Sequence, residues 1–269
     1  MRLIRSLRGL RSVDKLVSYE SFAAALAASN SYEDPRLVEV VREKTKLYRT
    51  SFTPASPRKI ESRQTAQNMF VVSYVEPVRS INVLEVGGAC GASYFEMNHL
   101  LPNRIAHWSI TETPAMAQAG TDLNDGAALS FHSDLTSAAE QLASRDLAIA
   151  QGVLQYTPDP VATLKALFEL KFSYVYITRT AVADVESPVY TNQETELAAH
   201  GPGRLPNAPA GKSTQPLTLV NAASLLAAIP ANYETVFNFV ESDERVLAAG
   251  DRHLTARDIG FLARLQSHG

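Results

Sequence analysis

Val83-Leu84-Glu85-Val86-Gly87-Gly88-Ala89-Cys90-Gly91 decides how the rest of the chain is read. An apolar strand runs into an acid and then into tiny side chains, and residues 93–101 can continue as a helix. Small residues let a ligand come close to main chain, and Gly tolerates positive φ. The helix start adds unpaired N–H groups. Taken alone, such a turn also serves purely structural ends, so its surroundings decide its meaning.

Downstream, strand patterns at 106–111, 128–131, 147–150 and 174–178 alternate with helical patterns at 115–123, 135–142 and 160–170. That alternation implies βαβ units and a parallel sheet. Residues 181–216 break the rhythm with Pro188, Pro202, Pro206, Pro209 and Pro216, and read as a long irregular stretch, a functional loop or a disordered segment. A helix over 220–228 follows. Strands at 234–240 and 245–249 then read as an antiparallel hairpin around Ser242-Asp243. Residues 256–266 read as a closing helix. The expectation is an α/β fold: a mostly parallel seven-stranded sheet with a closing antiparallel hairpin.

Upstream, Ser18 to Ser21 precede FAAALAA, a cap followed by strong helix formers. Asp34-Pro35 opens a second helix, and a third is expected over 59–78. No strand is expected before Asn82. The division expected is a helical N-terminal cap over 1–80, an α/β domain over 81–252 carrying the insertion 181–216, and a C-terminal helix over 253–269.

Bulk properties exclude several classes. The chain has 269 residues, net charge −3 and pI about 6.1, without the basic character that nucleic-acid binding needs. Cys90 is the single cysteine, which removes intrachain disulfides and thiolate zinc clusters and fits a reducing cytoplasm. No apolar run reaches about 18 residues, and the N-terminus lacks a signal-peptide pattern. Arg2, Arg5, Arg8 and Arg11 alternate with Leu3, Ile4, Leu7 and Leu10. This suits a basic helix on an anionic membrane surface or, as basic termini more commonly do, a solvated, partly frayed terminus. Oligomeric state is not legible.

The candidate site follows from the strand ends. Glu112, 21 residues after Gly91, ends the second strand, where a carboxylate can accept ribose hydroxyls; the bland alternative is an exposed helix-start acid. Asp134 after the third strand either meets an adenine amino group or caps the helix at Leu135. Gln151, Gln155 and Tyr156 follow the fourth strand and would face the crevice at the sheet's switch point. Arg179 ends the fifth strand, able to grip an anion or pair with a neighbouring acid. His132 and His200 are candidate bases, and Tyr190 and Gln193 candidate entrance residues. The six His residues show no metal-ligand spacing, and no Gly-x-Ser-x-Gly elbow is present.

In this order of features the chain resembles class I S-adenosylmethionine-dependent methyltransferases. More narrowly, SYESFAAALAASNSYEDPRLVEVV, VLEVGGACGASYF, DLAIAQGVLQYTPDP and YVYITRTAV resemble a family of bacterial methyltransferases associated with surface-polysaccharide gene clusters. The likeness spans about residues 18–182 and continues more weakly to about 240. It implies a Rossmann-like methyltransferase fold, with S-adenosylmethionine held by Glu85, Gly87, Gly88, Ala89, Gly91, Glu112, Asp134 and Gln151. Tyr156, Arg179 and His200 fall on the acceptor side. The implied reaction methylates an oxygen or nitrogen of a small molecule, a sugar or polysaccharide precursor among the candidates. Two departures stand out: Ala89 replaces a common Gly, and Thr178 replaces an acid.

Two other readings compete. A nicotinamide dehydrogenase wants Gly-x-Gly-x-x-Gly, but Gly87, Ala89 and Ala92 stand there. A methyltransferase-like domain without turnover, acting as a binding or scaffold protein, remains open. No Asn-Pro-Pro-Tyr segment follows the fourth strand, which disfavours nucleobase or glutamine acceptors.

Overall fold

The computed structural model describes residues 15–266 apart from 54, 61, 125, 127, 250 and 251. The basic segment at 2–11 lies outside the described residues. The first element is a two-residue strand, β1 (Lys15–Leu16), where none was expected. Ser21 caps α1 (Phe22–Ala27) by accepting the Ala24 N–H, and Asp34 caps α2 (Pro35–Thr50), whose first residue is the proline. Ser62 caps α3 (Arg63–Val75). These caps satisfy helix N–H groups that would otherwise lack partners.

The alternating region then unfolds as β2 (Ile81–Val86), α4 (Ala92–Leu100), β3 (Ile105–Thr111), α5 (Pro114–Thr121), β4 (Leu129–His132) and α6 (Leu135–Glu140). It continues through β5 (Leu147–Gln151), a 3-10 turn at Leu154–Tyr156, α7 (Pro160–Glu169) and β6 (Tyr174–Ala183). β5 is buried throughout, as a central parallel strand covered on both faces should be. Strand order β4-β3-β2-β5-β6 is parallel throughout. β2 and β5 are therefore the strands at which the winding reverses, and a crevice opens at their carboxyl ends.

The expected loop at 181–216 holds a two-stranded antiparallel ribbon instead, β7 (Val189–Glu196) paired with β8 (Lys212–Leu219). Its register puts Gln193 opposite Gln215 and Thr195 opposite Ser213 on one face. Thr191, Gln193, Ser213 and Gln215 are buried. From Thr191 to Thr195 and from Ser213 to Gln215 the inward face is polar, with Leu217 and Leu219 buried beyond, so the apolar alternation that reveals a strand was absent over most of the ribbon. α8 (Ala222–Leu226) follows, shorter than the expected 220–228.

The C-terminal region corrects two expectations. β9 (Tyr233–Val240) and β10 (Arg245–Ala249) do not pair with each other. Both pair antiparallel with β11 (Arg252–Leu265), a strand where a helix was expected. β11 fills the gap beside β6, and residues 258–263 are buried without interruption. Ala, Leu and Arg favour helix locally, but burial on both faces of a sheet overrides that preference. Gly260 marks the choice: a Cβ there would lie 2.4 Å from the Phe239 ring and 2.8 Å from the Ile177 carbonyl oxygen. Seven strands thus run β4-β3-β2-β5-β6-β11-β9, with β10 and β1 continuing the outer edge. β9 and β10 lie end to end along β11, and the break between them, residues 241–244, sits above the crevice.

Candidate functional site

β2 ends in a turn of left-handed residues: Gly87 at φ 70°, Ala89 at 50° and Gly91 at 86°. A Cβ on Gly87 would stand 2.5 Å from Val153 Cγ2, and one on Gly88 would stand 2.7 Å from Glu85 Oε2. Both positions need hydrogen in place of a side chain. Ala89 adopts the left-handed angle despite its methyl, which costs about 1–2 kcal/mol. Ala89→Gly is therefore expected to stabilise the fold by about 0.5–1 kcal/mol after the added unfolded-state freedom is subtracted. Denaturant melting checks this; an unchanged or lower midpoint would count against the strained turn.

Glu85 lies behind the turn, 2 % exposed. It accepts hydrogen bonds from Trp108 Nε1 (2.9 Å), Ser93 Oγ (2.9 Å) and, more weakly, Gln151 Nε2 (3.4 Å). Burial pushes its carboxyl up to about 7, against the Ser93 and Trp108 bonds that lower it. Gln151 also accepts from Gln64 Nε2 on α3 at 2.8 Å, a partner no local pattern announced.

Glu112 is neither exposed nor idle. Its carboxylate accepts the Ala89 N–H and the Thr113 N–H, each at 2.9 Å, and so ties the tip of the turn to the end of β3. Burial raises its carboxyl, and the two N–H groups oppose that. Asp134 is used as a helix cap, accepting Ser137 N–H at 2.8 Å from an exposed position. His132 bonds to Ser130 Oγ at 3.2 Å on the same side of the sheet.

Across the crevice, β6 carries a bulge. Thr180 pairs with Ile259 and Ile177 with Phe261, so Thr178 and Arg179 together face Gly260. Arg179 takes φ 53°, and its Nη2 donates to the Gln151 carbonyl at 3.0 Å. Glu241, in the break after β9, accepts from Thr178 Oγ1 at 2.6 Å and from the Arg179 N–H. A carboxylate thus reaches the end of β6 although Thr178 stands where an acid was expected. Glu241 was hidden because that stretch read as a hairpin turn.

The N-terminal helices and the ribbon cover this end of the sheet together. Asn30 and Ser31 N–H groups donate to the Thr214 carbonyl, and Lys44 Nζ donates to the carbonyls of Ala198 (3.0 Å) and His200. Between the two segments sits Tyr32, its ring 5.2 Å from Tyr156 and 6.3 Å from His200, both edge-on. Tyr156 donates to Gln193 Oε1. His200 Nε2 bonds to Thr195 Oγ1 at 2.6 Å, and burial pushes its imidazole down to about 4. Tyr156, His200 and Arg179 are thereby gathered around Tyr32, which lies inside the segment SYESFAAALAASNSYEDPRLVEVV but is not singled out there, because nothing local marks a tyrosine between two helices as a site residue.

The strand order, reversed at β2 and β5 and closed by antiparallel β11, is that of the Rossmann-like methyltransferase fold. No protein-family model matches the chain, and no curated protein matches it. Among solved structures, it is similar to the N-terminal domain of EvdMO1 with SAH bound, at 14% identity and a TM-score of 0.47. That match covers 84% of this chain and 97% of the other. It is similar to the sugar N-methyltransferase KedS8 from Streptoalloteichus sp. at 17% identity and TM-score 0.45, covering 78% and 89%. It is also similar to an S-adenosylmethionine-dependent methyltransferase from Clostridium acetobutylicum at 8% identity and TM-score 0.47, covering 78% and 94%. Among the described residues no helix is long and apolar enough to cross a membrane.

Proposed function

We propose that the chain is a cytoplasmic S-adenosylmethionine-dependent methyltransferase acting on an oxygen or nitrogen of a small molecule such as a sugar or polysaccharide precursor. The observation that carries the reading is the hydrogen bond from Ala89 N–H to Glu112. It joins a turn without side-chain bulk to an acid at the next strand end, beside the switch point of the sheet. The residues fit the cofactor: Val153 and Glu85 pack where side chains of Gly87 and Gly88 would stand, so the turn is tight and its main chain bare, and the acids suit a sulfonium cation. S-adenosylmethionine, when bound, supplies an already activated methyl group.

In this reading Gly87, Gly88, Ala89 and Gly91 form the floor and Glu112 receives the ribose hydroxyls. Glu85 and Gln151 line the crevice beside them, and Asp134 stands at the adenine end. Arg179 and Tyr156 bound the acceptor side, and the polar face of the ribbon, with Gln193 and Gln215, offers donors and acceptors to hydroxyl groups. His200 holds the ribbon closed over Tyr32. The covering segments exclude water, which strengthens electrostatic guidance inside.

Calorimetry with S-adenosylhomocysteine tests the cofactor half. Binding in the micromolar range is expected for the native chain, with Glu112→Gln weaker by about tenfold, the scale of a lost charged hydrogen bond. No heat at millimolar ligand would overturn the proposal. Binding without turnover on any small-molecule acceptor would favour the scaffold reading instead.

A further inference from the structure

Strand order constrains how an extended nucleoside can lie in the crevice. The strands run β4-β3-β2-β5-β6, with Asp134 after β4, Glu112 after β3 and the bare turn after β2. Neighbouring strands lie about 4.8 Å apart, so the end of β5 is roughly 10 Å from the end of β3. That matches the extended reach of S-adenosylmethionine from its ribose hydroxyls, past the sulfur, to the α-carbon of its amino-acid end. With the ribose at Glu112 and the sulfur over the turn, the amino-acid end falls at β5 and β6.

A closed ring of polar contacts stands at that place. Gln64, in the first turn of α3, donates its amide to Gln151 Oε1 at 2.8 Å. Gln151, at the end of β5, pairs in register with Thr178 of β6. Thr178 Oγ1 donates to Glu241 Oε2 at 2.6 Å. Arg63, next to Gln64, donates from Nη1 to the Glu241 carbonyl at 3.2 Å and closes the ring. Four segments far apart in the chain thus converge on one spot: α3, β5, β6 and the break after β9.

Two members of the ring keep hydrogen-bonding capacity. The Thr178 hydroxyl and the Arg179 N–H meet on a single oxygen of Glu241. The other oxygen, Oε1, makes no hydrogen bond among the described residues, and the side chain is half-buried. Gln64, also half-buried, uses one amide hydrogen on Gln151 and retains the second. An amino-acid end carries an ammonium and a carboxylate. A carboxylate oxygen accepts from the first, and an amide N–H donates to the second.

We infer that the amino-acid end of the cofactor is held by Glu241, which accepts from its ammonium, and by Gln64, which donates to its carboxylate. This rests on the methyl-transfer reading above. Both residues reach the crevice from outside the βαβ units that carry the turn. Gln151 fixes the Gln64 amide, and Thr178 with the Arg179 N–H fixes the Glu241 carboxylate, so the groups are set before a ligand arrives.

Calorimetry on the full chain with three ligands tests the assignment. S-adenosylhomocysteine carries both charged groups, its decarboxylated form keeps only the ammonium, and 5′-methylthioadenosine has neither. The native chain should bind S-adenosylhomocysteine at least about tenfold more tightly than methylthioadenosine. Glu241→Gln can still accept from Thr178 and Arg179 through its amide oxygen, and thermal melting checks that it folds. It should raise the Kd of S-adenosylhomocysteine and of the decarboxylated form about tenfold and leave that of methylthioadenosine unchanged. Gln64→Leu should weaken S-adenosylhomocysteine about fivefold and leave the other two unchanged. Equal native affinity for S-adenosylhomocysteine and methylthioadenosine overturns the assignment. So does a loss shared by all three ligands, or unchanged S-adenosylhomocysteine binding, in either variant. Failure of all three to bind the native chain overturns the methyl-transfer reading itself.

Discussion

Glu85→Gln is expected to raise folding stability at pH 8 by roughly 3 kcal/mol and to flatten its dependence on pH. The carboxyl titrates near 7 in the folded chain against an ordinary value of 4.5, because burial disfavours its charge. Its folded pKa is raised, so the folded state holds the proton more tightly than the unfolded one. The corresponding stability is fully present below about pH 4.5 and is lost as pH rises through 7. A difference of about 2.5 pKa units corresponds to roughly 3 kcal/mol. Gln keeps the size and an oxygen for Trp108 Nε1 but never ionises. Urea melts of both chains at pH 5 and pH 8 decide the matter. Equal losses of stability between those pH values in wild type and variant would show that Glu85 carries no such burden. Retention of an ionisable group at a destabilising position is what a site residue, selected for function over stability, would show.

Gly87→Ala is expected to destabilise by roughly 2–5 kcal/mol. About 1–2 kcal/mol comes from forcing an L-residue into the left-handed region at φ 70°. Roughly 1–3 kcal/mol more comes from overpacking against Val153, whose Cγ2 lies 2.5 Å from the new methyl position. The two causes separate in the double variant Gly87→Ala/Val153→Gly, because Val153 Cβ itself lies 2.8 Å from the new methyl position. Compared with Val153→Gly alone, the added methyl should then cost only the backbone strain. Denaturant melts of the four chains form a double-mutant cycle. A Gly87→Ala chain within about half a kcal/mol of wild type would contradict the turn geometry on which the cofactor floor depends.

Particular residues show where sequence reading succeeded. The caps at Ser21 and Asp34 and the helices behind them are local chemistry, and local chemistry is written in adjacent residues. Parallel strands with buried faces announce themselves as short apolar runs, which is why β2, β3, β5 and β6 were recognisable. Glu112 was found by its position after a strand, but its bond to Ala89 N–H, 23 residues back in the chain, was not. The ribbon was missed because Gln193, Gln215 and Ser213 replace the apolar alternation that marks a buried strand face.

The amino-acid order by itself determined the α/β alternation, the Gly-rich turn and the acids that follow each strand, because short-range sterics and burial patterns dictate them. Tertiary structure alone decided the fate of residues 252–265, the arrival of Glu241 at Arg179 and the gathering of Tyr32, Tyr156 and His200. Each of these depends on contacts between segments far apart in the chain. Helix-forming side chains become a strand once a slot between β6 and β9 buries both of their faces, and no local propensity encodes the existence of that slot.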